Sequence, residues 1–150
     1  MPPNNVWHLL ADPTATELHA PGGIVDSPCG EQGNFELEPQ PSGPTFVLCG
    51  DGRVFRTDDD AATWTASGRE DAAVAMGLLD RSPVLAVAGR SDCPGIAVER
   101  TDGSRLGCIE GADAGGGVAL GFSADSYGLF IGGEQTWVTD DGGATWSRPG

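Results

Sequence analysis

Carboxylates are the reactive groups this chain carries in quantity: 22 Asp and Glu stand against 8 basic residues, every one an arginine, among 150 residues. They crowd most at Asp58-Asp59-Asp60 and Asp140-Asp141. Such oxygens suit a hard cation like Ca²⁺, but the EF-hand spacing and its closing Glu are missing, so no metal is assigned. A carboxylate pair can also cleave a glycosidic bond, though no pair here is marked out by its surroundings. Asp51, Asp92 and Glu134 each occupy a turn after an apolar run and are the candidates for ligand-facing positions. His8 and His19 could serve as an acid–base couple, but they read as ordinary, partly exposed histidines. Gly115-Gly116-Gly117 precedes a strand, without the helix that a phosphate-binding loop requires. With no nucleotide fingerprint and no Ser-His-Asp set, no cofactor is expected.

Cysteine is the other reactive type. Cys29, Cys49, Cys93 and Cys108 form no C-x-x-C pair, and two histidines lend little support to a zinc site. Four cysteines allow three connectivities. Cys29–Cys49 and Cys93–Cys108 are favoured, because each bond would lie within one repeat unit and between neighbouring strands. Disulfides imply an oxidising compartment.

The elements that must position these groups announce themselves by recurrence. Thr139-Asp140-Asp141-Gly142-Gly143-Ala144-Thr145-Trp146 is nearly copied by Thr57-Asp58-Asp59-Asp60-Ala61-Ala62-Thr63-Trp64, at an interval of 82 residues. Each copy follows an apolar run (Phe46–Gly50, Gly128–Gly132) and a short alternating segment (Arg53–Arg56, Gln135–Val138). Runs of this kind bounded by Gly read as strands buried on both faces. The interval holds two units of a size typical of propeller blades. The intervening unit has its own runs at Val84–Gly89 and Ile96–Thr101, and a decayed motif in which Gly103 takes the Asp place and Cys108 the Trp place. Weaker strands are expected at Phe35–Glu38, Ala73–Leu79 and Val118–Phe122. Ahead of them, Val6–Leu10 and Thr16–His19 could pair before Pro21-Gly22-Gly23 breaks the chain.

Each residue of the repeated motif has a structural use. A carboxylate at Asp59 or Asp141 can accept from turn amides that lack partners. Thr57, Thr63, Thr139 and Thr145 supply hydroxyls and strand-favouring side chains. Gly143 permits positive φ at little steric cost, and where Ala61 replaces it the first copy either has a slightly different turn or tolerates strain. Trp64 and Trp146 carry the apolar area that clamps the turn to its sheet.

The motif resembles the Asp-box (BNR) repeat of β-propeller proteins, such as sialidase-like, sortilin-like and photosystem II assembly factor-like propellers. The resemblance covers three units, 33–70, 71–111 and 112–150, with 1–32 as a partial blade or closing segment. It implies an all-β fold: a propeller-like array of about three four-stranded antiparallel blades plus the N-terminal partial blade, in one domain spanning 1–150. It also implies that the motif turns lie on the periphery with a structural role. Two activities are open to such a chain. One is a non-catalytic binding or scaffolding module for a protein or carbohydrate ligand. The alternative is a glycoside hydrolase or a fragment of one. Sialidase chemistry needs an arginine cluster and a Tyr–Glu pair, whereas Tyr127 is the sole tyrosine and no Arg-Ile-Pro segment lies near the start. A non-catalytic member is therefore expected, with no catalytic residue assigned.

Charge narrows the partners. At a net −14 the surface repels nucleic acid and anionic membranes, and no run is long enough to span a bilayer. The N-terminus lacks a signal-peptide pattern, so an extracellular or periplasmic location would require a leader already removed. Three units and a partial one barely reach the smallest closed propeller. Three remedies are open: the N-terminal segment completes a small fourth blade, two chains associate through open blade edges, or the chain is one part of a longer protein. Association is favoured.

Overall fold

The computed structural model describes residues 8–9, 17–21, 23–30, 34–38, 44–66, 73–114, 118–123 and 126–149. These residues are all-β, with fourteen strands and no helix, so none contains a helix long and apolar enough to cross a membrane. The strands make four antiparallel sheets, each formed by strands consecutive in sequence. The chain divides into two compact units, Met1–Glu70 and Asp71–Gly150.

The first unit holds two sheets. In one, β1 (His8–Leu9), β2 (Glu17–Ala20) and β3 (Gly23–Asp26) pair in order. The expected hairpin is present, but the chain does not break after it: Ala20 pairs with Gly23 and a third strand follows. Pro21-Gly22 is turn chemistry, which joins strands as readily as it ends them. The other sheet runs β4 (Asn34–Glu38), β5 (Thr45–Cys49), β6 (Val54–Thr57) and β7 (Thr65–Ala66). Every residue of β5 is buried, as its unbroken apolar run required. Leu18, Cys29, Val47 and Cys49 form the core, with Leu37, Phe55 and Trp64 packed against them.

The second unit holds β8 (Ala73–Leu79), β9 (Ser82–Ala88), β10 (Gly95–Arg100) and β11 (Arg105–Glu110) in one sheet. β12 (Val118–Phe122), β13 (Gly128–Gly132) and β14 (Gln135–Thr139) form the next, and a single antiparallel bridge from Val138 to Ser147 stands where a fourth strand would be. The two sheets pack through Ala75, Val84, Ala86, Ile96, Val98 and Ile109 on one side and Leu120 and Phe130 on the other. β8 approaches β12 so closely that a Cβ on Gly77 would meet the Leu120 carbonyl at 2.9 Å.

One expectation needs revision. The intervening unit has no shortened copy of the motif with Cys108 in the Trp place. β7 begins eight positions after Thr57, whereas β11 begins only four after Thr101. A tight turn closes this hairpin, with Gly103 at φ 89° and the Asp102 carboxylate accepting from the Ser104 amide at 2.8 Å. Cys108 is therefore a mid-strand residue opposite Ala97.

Candidate functional site

The two eight-residue turns share one set of Asp–Thr hydrogen bonds. Asp141 Oδ1 accepts from the Thr145 amide at 2.9 Å and from Thr139 Oγ1 at 2.7 Å, and Asp141 Oδ2 accepts from Thr145 Oγ1 at 2.5 Å. In the first turn Asp59 receives the Thr63 amide, Thr57 Oγ1 and Thr63 Oγ1 at 2.8, 2.8 and 2.5 Å. The buried Thr139 and Thr57 hydroxyls each accept a backbone amide at 3.0 Å, from Gly143 and Ala61. Most amides of these bends thus find partners within the motif itself, and the Gly142 amide bonds the Ser126 carbonyl at 2.9 Å.

Hydrogen bonding to the charged form lowers a carboxyl's pKa. Thr145, then Thr139, holds Asp141 down to about 2 from an ordinary 3.8. Asp59 is lowered by Thr63 first and Thr57 next. Both carboxylates thus favour the ionised form, which suits a turn brace.

The turns differ where the sequence does. Gly142 and Gly143 adopt φ of 73° and 96°, and Asp60 and Ala61 follow with 53° and 74°. The first copy keeps the same bend and carries non-glycine residues in the left-handed region. In the second turn the Trp146 indole donates to the Gly143 carbonyl at 2.8 Å and meets Phe122 edge-on at 6.2 Å.

The cysteines are bonded as Cys29–Cys49 and Cys93–Cys108, which leaves no free thiol. But Cys29 and Cys93 lie outside the strands and Cys29 precedes the 33–70 unit, so each bond ties a connecting segment to a strand. Arg53 joins the first bond to its surroundings, pairing with Asp51 at 2.7 Å and reaching the Cys29 carbonyl at 3.4 Å. Beside the second bond, Glu99 is 3% exposed and accepts from Arg90 at 3.0 and 3.1 Å and from Arg105 at 3.3 Å. Arg105 also binds Asp92 at 2.8 Å, and this bond lowers the Asp92 pKa.

Of the ligand-facing candidates, Asp51 and Asp92 thus each hold an arginine in a turn. Glu134 stands exposed beside Gly133 in the turn between β13 and β14. His8 and His19 are backbone partners across β1 and β2, and their side chains lie outside the described residues. Gly115–Gly117 lies outside them as well. No cluster of three or more potential metal-ligating side chains occurs among the described residues.

Three concavities gather on the last sheet. Tyr127, Val138, Asp140, Thr145, Trp146 and Ser147 line one of about 350 Å³. Ala119, Gly121, Tyr127 and Leu129 help line one of about 420 Å³. Cys108, Glu110, Trp137, Ala144, Thr145 and Trp146 line a third of about 390 Å³. Trp146 borders two of them and Tyr127, 54% exposed, borders two. Sequence reasoning placed Trp146 as a clamp and missed its second use as a wall, because a concavity depends on register between strands that no local pattern encodes.

Compared with known proteins, the chain matches no protein-family model and no curated sequence.

Proposed function

We propose that this chain is a non-catalytic, extracytoplasmic binding or scaffolding module of the Asp-box β-propeller kind. The observation that carries this reading is the division of labour at the second turn. Asp141 is saturated by its own Thr hydroxyls and amides, while Trp146 beside it lines two concavities able to receive a ligand. Concavities of this volume lie in the range of small-ligand sites, and Trp146 supplies an aromatic wall to both. Two disulfides and no free thiol support residence in an oxidising compartment. Four sheets of consecutive antiparallel strands support the blade assignment.

A panel of chromogenic glycosides tests the reading. No turnover is expected, and turnover abolished by a single carboxylate substitution would replace it with a glycoside hydrolase. Self-association accompanies the proposal, because Tyr127 and Leu129 expose apolar surface on the last sheet at 54% and 40%. Size-exclusion chromatography with light scattering reads it directly, and a dimer is expected.

A further inference from the structure

The geometry points to the free edge of β11 as a docking groove for an extended peptide carrying arginine. Within its sheet β11 pairs only with β10 among the described residues, so its other side is an edge. Which residues point outward follows from the register. The Gly111 amide bonds the Pro94 carbonyl at 3.0 Å, and the β10 pairs run Gly95–Glu110, Ile96–Ile109 and Ala97–Cys108. Hydrogen-bonded and non-hydrogen-bonded pairs alternate along an antiparallel ladder. Ile109 and Gly107 therefore turn their peptide groups inward to β10, and Cys108 and Glu110 turn theirs outward.

Those two outward residues are the ones that line the concavity of about 390 Å³, whose far wall is Trp137, Trp146 and Thr145. An unpaired strand edge alongside an aromatic groove is the arrangement that accepts an added strand: main-chain bonds supply affinity and the groove reads a side chain. Charge selects the partner. The chain carries −14 and no lysine, which favours a basic segment. Trp137 already takes a guanidinium over its ring, from Arg148 at 5.8 Å, within the range of a cation–π contact. An arginine of the added strand would meet Trp146 and the exposed Glu110 carboxylate in the groove.

This inference rests on the binding-module reading, and its test is independent of any glycoside turnover. The probe is an acetylated, amidated peptide of alternating Arg and Thr, six residues long, titrated into the intact chain and followed by NMR amide exchange. Protection is expected to rise at least tenfold at Cys108 and Glu110 and to stay unchanged at Gly107 and Ile109. Replacing Arg by citrulline is expected to weaken binding about tenfold, and N-methylating the peptide at alternate positions to abolish it. Trp137→Leu is expected to weaken binding without altering the exchange pattern of β9 and β10. Equal binding of the citrulline peptide, or protection lacking the alternation, would overturn the assignment. So would protection of Cys108 and Glu110 that appears on raising protein concentration alone, since the occupant would then be a second copy.

Discussion

Ala61 and Gly143 are the same position in two copies of one turn, and they isolate the cost of a single methyl group. Ala61 holds φ 74° and Gly143 φ 96°, a region where a Cβ is disfavoured by about 1–2 kcal/mol. A Cβ on Gly143 would lie 3.5 Å from Val98 and 3.7 Å from Phe122, ordinary contacts, so its penalty is conformational and not steric. Gly143→Ala should cost roughly 0.5–1 kcal/mol and Ala61→Gly should gain a similar amount, the freer unfolded glycine chain offsetting part of the strain in both. Urea melts of the two variants check both signs. The Thr139 hydroxyl carries a different burden: it is buried, accepts the Gly143 amide and donates to Asp141. Thr139→Val leaves that amide without its partner and should cost about 1–3 kcal/mol, measured the same way.

Strands show most clearly what could and could not be read ahead of the structure. β5, β9 and β13 were legible because an apolar run between glycines has few alternatives to a buried strand. β3 was not, because Pro-Gly reads equally as a stop or as a tight connection, and only its pairing with β2 decides between them. The short Thr101–Ser104 turn was missed for a related reason: a matching Thr suggested the longer motif, and four residues fewer cannot be seen in a pattern already decayed. The edge of β11 was invisible, since which peptide groups face outward depends on register. Packing between elements gives a sharp test. A Cβ on Gly107 would meet the Gly143 carbonyl at 2.0 Å, so β11 and the second turn touch backbone to backbone. Gly107→Ala should destabilise by about 1–3 kcal/mol through forced displacement, and thermal melting should show it.

At the scale of the molecule, small sheets with short strands need additional restraint. Each unit has one disulfide, closing intervals of 20 and 15 residues. A loop near that length contributes about 3 kcal/mol by restricting the unfolded chain. Reduction should therefore lower the thermal midpoint of both units, and differential scanning calorimetry with and without reductant measures it. In the second unit the Glu99 network supplements the bond. Removing a buried member of an ion pair is costly, yet Arg90 and Arg105 retain 21% and 30% side-chain exposure and can partly rehydrate. The last sheet differs from its neighbour in a way that bears on function. β9 and β10 are buried on both faces, whereas β13 alternates and leaves Leu129 in solvent. Among the described residues of this unit, the last sheet with its concavities and the adjoining edge of β11 thus remain available for recognition.

The claim beneath all of this is that Asp59 and Asp141 brace the backbone of their own turns and do no acid–base chemistry. Carbon-detected NMR titration of Asp59 and Asp141 measures it. Asp141 should titrate at about 2 and Asp59 below its ordinary 3.8. Because both folded values are depressed, the braces stabilise fully above the unfolded pKa and are lost as pH falls through the folded one. Asp59 or Asp141 titrating at or above the ordinary carboxylate value would contradict the account.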